Sequence, residues 1–317
     1  MPMGYENYGQ APALVPGSTS YFSAPSSELD PKLFDNNGLK PWVRTGILSI
    51  LFDYLSRRYN GPHSWTQAWL AGSGVSYQWE AAREPGDLDC LVGINYVKFR
   101  QLNPEFSGYA DLEIAKTFNE GFNADVMPHT SNWEGYELTF YVNPQSDIRD
   151  INPYAAYDLI ADTWTVSPER NPQPPYSRAW EQKAQRDQDA AAEIVKRYND
   201  ALNDLRSATN PAYRINAERM LKLAEEQAIA FYDDIHSGRK IAFSKIGGGY
   251  SDFNNYRWQA AKKSGAVQSL RAIKDKRTAA ETEQNLGLYG VELPDVGTLL
   301  RRTLSDNNSP ARSQRSM

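Results

Sequence analysis

The chain has 317 residues, one cysteine, three histidines and a formal charge of −5, with 40% apolar and 23% charged residues. At roughly 150 residues per domain, that length suggests about two domains. The single Cys90 excludes a disulfide framework and a cysteine-based zinc site, and three histidines argue against a histidine-only metal cage. The longest early apolar run, residues 46–52, falls far short of the ~20 residues of a membrane span, so no membrane partner is expected. Met1–Ser27 has no basic region followed by an apolar one, so no secretory leader is expected and the cytoplasm is the expected location. Charge is divided unevenly. Residues 1–173 carry 11 Lys and Arg against 21 Asp and Glu, a balance of −10, while residues 174–317 carry 23 against 18, a balance of +5. An acidic front and a basic back suggest two functional halves, although solvated helix faces also collect lysine and arginine.

In chain order, residues 1–31 are rich in Gly, Pro, Ser and Tyr without apolar periodicity and read as a disordered arm. Val43, Ile47, Ile50, Leu51, Tyr54 and Leu55 recur at helical spacing and predict a helix over Trp42–Tyr59, ended by Asn60-Gly61-Pro62. A short strand is expected at Thr66–Ala71. Alternation over Asp87–Ile94 predicts a second strand with its aspartates on one face. Tyr109–Phe122 reads as a helix, Tyr136–Val142 as a strand dense in aromatic and β-branched residues, and 153–162 as a further helix. Asn171–Pro175 reads as a linker. Long helical patterns follow over Ser177–Arg206 and Pro211–Ile235, then another over Tyr256–Asp275, and the last ~15 residues are polar and read as disordered.

The informative stretch is Leu70-Ala71-Gly72-Ser73, thirteen residues (Gly74–Gly86), then Asp87-Leu88-Asp89. A Gly-Ser turn after a strand lets backbone N–H groups and a hydroxyl approach an anion such as a triphosphate. Aspartates at i and i+2 of a strand point to the same side and can share a divalent ion, with oxygen donors suited to Mg²⁺. A third carboxylate on a neighbouring strand would complete a two-metal site. Glu137 is the candidate, in a strand that has no other reason to hold a charge, with Thr139 and Tyr141 pointing the same way; Asp125, also flanked by apolar residues, is the alternative. The bland reading is that Asp87 and Asp89 cap a turn after Pro85-Gly86 and that Gly72–Gly74 is an ordinary loop.

This pattern resembles the DNA polymerase beta-type nucleotidyltransferase superfamily over residues 40–145, under half of the chain. Two features depart from the family's tightest pattern: the spacer is long, and the third acid is Glu where Asp is common. The layout, with its Tyr-Glu-Leu-Thr-Phe-Tyr strand, is more distantly similar to nucleotidyltransferase-domain proteins of double-stranded DNA bacteriophages, for which the location would be the host cytoplasm. The resemblance implies an α/β (α+β) nucleotidyltransferase domain with a mixed sheet at 32–170. A mostly helical domain would follow at 171–302, between the arm at 1–31 and a disordered tail at 303–317. It implies transfer of a nucleoside monophosphate from an NTP such as ATP to an acceptor, with two Mg²⁺ ions and Mn²⁺ as the substitute. Gly72 and Ser73 would cradle phosphates, Asp87 and Asp89 would bind both ions, and Glu137 would complete the second site and orient the acceptor hydroxyl.

Other features are weaker. Gly247-Gly248-Gly249, followed by Tyr250, Tyr256, Arg257 and Trp258 with Lys245, Lys262 and Lys263 nearby, joins aromatics and cations as a base-binding surface would, with Lys245 and Arg257 as nucleotide contacts. A helix-connecting turn with buried aromatics is the plainer account. His63 and His129 read as loop histidines, with His129 near the nucleotide as the alternative. His236 before Ser237-Gly238 reads as a helix C-cap. Arg301, Arg302, Arg312 and Arg315 read as a solvated tail. Three function classes compete: a nucleotidyltransferase acting on RNA, tRNA ends foremost; an enzyme nucleotidylating a protein or small molecule, as toxins and antibiotic-modifying enzymes do; and a catalytically silent binding or structural protein that keeps the fold.

Overall fold

The structure is a computed structural model that describes residues 9–17, 19–35, 38–79, 86–143, 147–170 and 177–289. The chain divides into two compact units, one built from the described residues between 25 and 170, the other from 9–24 together with 177–289. Among the described residues, no helix is long and apolar enough to cross a membrane. The linker expected at Asn171–Pro175 and the tail at 303–317, with Arg301 and Arg302, lie outside the described residues.

The first unit is α+β. A two-residue pair, β1 (Phe34–Asp35) and β2 (Gly38–Leu39), leads into α1 (Pro41–Ser56). Pro41 opens that helix at the position where its missing N–H costs nothing. β3 (Thr66–Ala71) and β4 (Gly86–Ile94) follow, then the helices α2 (Tyr96–Leu102), α3 (Asp111–Gly121) and α4 (Met127–Thr130), and then β5 (Tyr136–Val142), β6 (Ala156–Asp158) and β7 (Thr163–Val166). The five-stranded sheet runs β5-β4-β3-β6-β7. β4 lies antiparallel to β3 and parallel to β5, so the sheet is mixed. A parallel pair needs a long crossover, and α2 and α3 supply it.

One sheet face packs on the helices. Leu88, Cys90, Val92, Leu138 and Phe140 join Val43, Ile47 and Leu51 of α1 and Ile114 and Phe118 of α3 in the main core. Its aromatic centre is dense: Trp65–Phe99 and Tyr59–Phe118 ring centroids are 4.9 and 4.7 Å apart. Asn119 of α3 closes the free edge of β5, donating to the Val142 carbonyl at 2.9 Å and accepting from its N–H at 2.7 Å. Before β5 the chain turns at Glu134 and Gly135, both at positive φ, with Trp133 and Tyr136 paired across the turn as a two-residue hairpin requires.

The second unit is helical: α5 (Arg178–Ser207), α6 (Pro211–Ala242), α7 (Phe253–Lys263) and α8 (Ala266–Tyr289). Tyr198, Leu202, Leu221, Leu270 and Ile273 form its core.

Four sequence expectations change. The segment 153–162 is not a helix but β6 and a turn, where the Asp158 carboxylate accepts the Ile160 and Ala161 N–H groups, each at 2.8 Å. The helix expected over 256–275 is two helices, broken at Gly265 (φ +83), where any Cβ would lie 2.3 Å from the Val15 carbonyl oxygen. His236 does not cap a helix end, because α6 continues to Ala242. Gly238 sits inside α6, where a Cβ would come within 3.0 Å of Asn254 Oδ1 on α7, so its lack of a side chain serves helix packing. The arm over 1–31 is not loose in its described part. Ala11 is in the helical core, its N–H and C=O bound by Asn199 at 2.8 and 3.2 Å. Tyr21 is 2% exposed against Tyr250 and Tyr256.

Candidate functional site

Strand alternation sorts β4 into two sets: Leu88, Cys90 and Val92 enter the core, while Asp87, Asp89 and Leu91 turn to the opposite face. The parallel register sets Asp87 beside Glu137, Asp89 beside Thr139 and Leu91 beside Tyr141. The face therefore reads as two polar rungs followed by an apolar one. Leu91 joins Trp69, Ala71, Ile148 and Ala156 in a small cluster that closes the apolar end. Asp87, Asp89, Glu137 and Thr139 are half-buried.

The turn after β3 closes on this face. Gly72 stands at φ +94, its N–H donating to the Ala155 carbonyl at 3.1 Å. A Cβ there would lie 3.3 Å from Asp89 Oδ2, and one on Gly74 would lie 2.4 Å from the Asp87 carbonyl oxygen. Only glycine lets the turn approach β4 so closely at both positions. Ser73 opens a 3-10 turn, its carbonyl accepting from Ser76 N–H and Oγ at 3.1 and 2.9 Å. On the other side of the carboxylate, the Thr139 hydroxyl donates to Asp89 Oδ1 at 3.0 Å.

Of the two candidates for a third carboxylate, Glu137 shares the face of the aspartates. Asp125 lies in a π-helical turn, Phe122–Val126, whose Phe122 and Val126 pack into the main core on the other face, and it pairs with Arg58 at 3.1 Å. The Asp87, Asp89 and Glu137 side chains do not converge as an ion cage. Among the described residues, no three His, Cys, Asp or Glu side chains form a group that could hold a metal ion. Register brings the backbones together, and side-chain rotation would have to gather the carboxylates. The donor chemistry on this face is hard oxygen, which fits Mg²⁺ or Mn²⁺ better than a thiophilic ion. The thiol of Cys90 faces the core, and burial, helped by the Asp89 charge, pushes its pKa up and keeps it protonated.

The residues expected to hold a nucleotide from the basic half belong to the helical unit. Arg257 of α7 is held by Asp187 at 2.6 and 3.2 Å and by Asp234 at 2.6 Å, which commits its guanidinium to carboxylates of its own unit. Lys245 is exposed in the turn after α6. The aromatics proposed to stack on a base are core residues instead: Tyr250, Tyr256 and Trp258 are each under 10% exposed. His63 is exposed and stacks on Phe52 with ring centroids 4.0 Å apart, and His129 is exposed in α4. Sequence reasoning placed Thr139 on the acidic face without seeing its bond to Asp89. The signal was present in Glu-Leu-Thr, but the strand register that makes it meaningful is a long-range property.

Compared as a whole, the chain matches no family model, no curated protein and no solved structure.

Proposed function

We propose that the sheet unit is a nucleotidyltransferase that moves a nucleoside monophosphate from an NTP to an acceptor and releases pyrophosphate. The observation that carries the reading is the pairing of Asp87 with Glu137 at matched register, Asp89 two residues on, and the Gly72–Gly74 turn against both aspartates. Like charges level on neighbouring strands repel, and a bound cation would offset that repulsion.

Asp87 and Asp89 would hold Mg²⁺, or Mn²⁺ in its place, with Glu137 joining them when its side chain swings in. Bound there, the ions would neutralise charge on the triphosphate and its leaving pyrophosphate. The chain itself supplies position. Ser73 begins the turn whose backbone N–H groups would face a phosphate, and Glu137 would orient the acceptor hydroxyl. The acceptor oxygen forms a new bond to the α-phosphorus as the bond to pyrophosphate breaks, and the hydroxyl proton passes to water. Apo geometry is often looser than the loaded state, which accommodates carboxylates that have yet to converge.

RNA, with tRNA ends foremost, is the first acceptor class, and the excess of cations in residues 174–317 supports it. A protein or small-molecule acceptor is the alternative. A catalytically silent protein that keeps this fold is favoured by one observation, the lack of a gathered metal group among the described residues. Incubation with each labelled NTP and Mg²⁺, alone and with total RNA, separates the three. The reading requires Asp87→Ala and Asp89→Ala to abolish incorporation, and unchanged labelling in those variants overturns it. Labelled protein or metabolite without labelled RNA selects the second class.

A further inference from the structure

We propose that His236, Arg239, Lys240 and Trp258 form an anion site on the helical unit that takes a phosphate group. The inference stands apart from the nucleotidyltransferase reading of the sheet unit. The four residues meet where the C-terminal part of α6 packs on α7. The imidazole of His236 lies against Tyr232 and Trp258, with ring centroids 5.6 and 5.5 Å away. The Arg239 guanidinium rests 5.1 Å from the centre of the Trp258 ring and 5.9 Å from that of Phe243. Lys240 follows it, exposed on the last turn of α6.

Two observations point to a missing anion. The first is charge. Arg257, Lys274 and Arg277 of the same unit each have a carboxylate partner, whereas Arg239 and Lys240 have none among the described residues. The charges acting on His236 are Lys240, Arg239 and Lys274 against the one carboxylate of Asp233, which already pairs with Lys274. The second is an unmet donor. Trp258 is 7% exposed, and its indole N–H is buried without an acceptor, so it keeps its full desolvation cost. His236 makes ring contacts and no hydrogen bond among the described residues. The end of α6 accounts for cations in its last turn, but not for a buried donor left unpaired or for an imidazole set among cations one turn earlier. A phosphate fits this set by its oxygens and its charge. The guanidinium fork can grip two oxygens, the ammonium adds a point charge, and the indole N–H adds a further hydrogen bond. Tyr232, Phe243 and Trp258 wall the site with rings that strengthen these interactions. A carboxylate brings two oxygens and one charge, and would leave donors unmatched. His236 would take a proton from solvent as the anion binds.

The test follows the three histidines of the full chain by nuclear magnetic resonance, with His236→Gln identifying the signal from this site. Inorganic phosphate, exchanged for chloride at constant ionic strength, is expected to raise the titration midpoint of His236 by about one pH unit and to leave His63 and His129 unmoved. Arg239→Gln is expected to weaken phosphate binding about tenfold. Arg239→Lys keeps the charge and loses the fork, and a loss of about threefold is expected. Trp258→Phe keeps a ring and removes the N–H, again for a loss of about threefold. Thermal melts check each fold, and Lys240→Gln serves if the phenylalanine variant unfolds. A short single-stranded RNA forms the second arm. A response to RNA at far lower concentration than to phosphate, weakening with salt, assigns the group to a nucleic-acid backbone. A response to phosphate alone assigns it to free phosphate or a phosphate monoester. A His236 midpoint that neither ligand moves, or that moves equally in Arg239→Gln, overturns the inference.

Discussion

In the helical unit, Arg257 is held between Asp187 and Asp234, Lys274 meets Asp233 at 2.6 Å, and the buried Glu225 receives Arg277 at 3.0 Å. On the open face of the sheet unit, Asp87 and Glu137 stand level on adjacent strands with Asp89 one rung away. The first arrangement sets opposite charges together and is accounted for by folding. The second sets like charges level on neighbouring strands. The basic excess of residues 174–317 is thus partly consumed inside its own unit, while the acidic excess of residues 1–173 includes a patch directed outward from the core.

The largest expected effect tests the like-charge patch. Asp87→Ala and Asp89→Ala should each bring labelled-NTP incorporation to background, with thermal melts checking that each variant still folds. The aromatic centre behind the same strands should respond in the opposite way. Phe118→Ala is expected to cost about 3–5 kcal/mol in urea unfolding, because it empties a fully buried site among Trp65, Phe99 and Tyr59.

The opposite-charge cluster should prove structural. Arg257→Ala leaves Asp187 and Asp234 without their shared cation, and a loss of about 2 kcal/mol is expected, below the range for a fully buried pair because Asp234 is well exposed. Arg257→Lys should recover only part of it, since an ammonium cannot span both carboxylates as the guanidinium does. The smallest effect concerns His236, which lies against Tyr232 and Trp258. Burial, aided by Lys240 and Arg239, lowers its pKa below the ordinary 6.5. Between the two values the unfolded chain binds more protons, so this contribution is fully present above 6.5 and is lost as pH falls below it. Urea titrations at pH 7.5 and 5.5 should show the decline, and His236→Gln should flatten it.

Elements with a strong local pattern were legible in the sequence. β3 and β5 fall on the residues their composition marks, and α1 follows its apolar spacing. The misreadings of β6 and of the arm share one cause, partners far along the chain, whereas the break at Gly265 is a local glycine signal. β6 is three residues long and exists because Ala71 and Trp69 pair with it. Ala11 and Tyr21 are isolated apolar residues with no periodicity of their own, and helices more than 180 positions later bury them. At the site, Asp87, Asp89 and Glu137 were readable from alternation within each strand. The contacts of Thr139 and Gly72 with Asp89 required the register between strands, which no local window contains.

The N-terminal segment that binds the helical unit has a consequence for the order of synthesis. Ala11 and Tyr21 are made well before the helical partners that bind them, Asn199 and Tyr250. The 188 positions separating Ala11 from Asn199 take on the order of ten seconds to translate. By its end every described strand and helix of the sheet unit has been made, so this unit can close while the helical unit still lacks its last helices. Residues 11 and 21 thus wait for partners made much later, Asn199 in α5 and Tyr250 after α6.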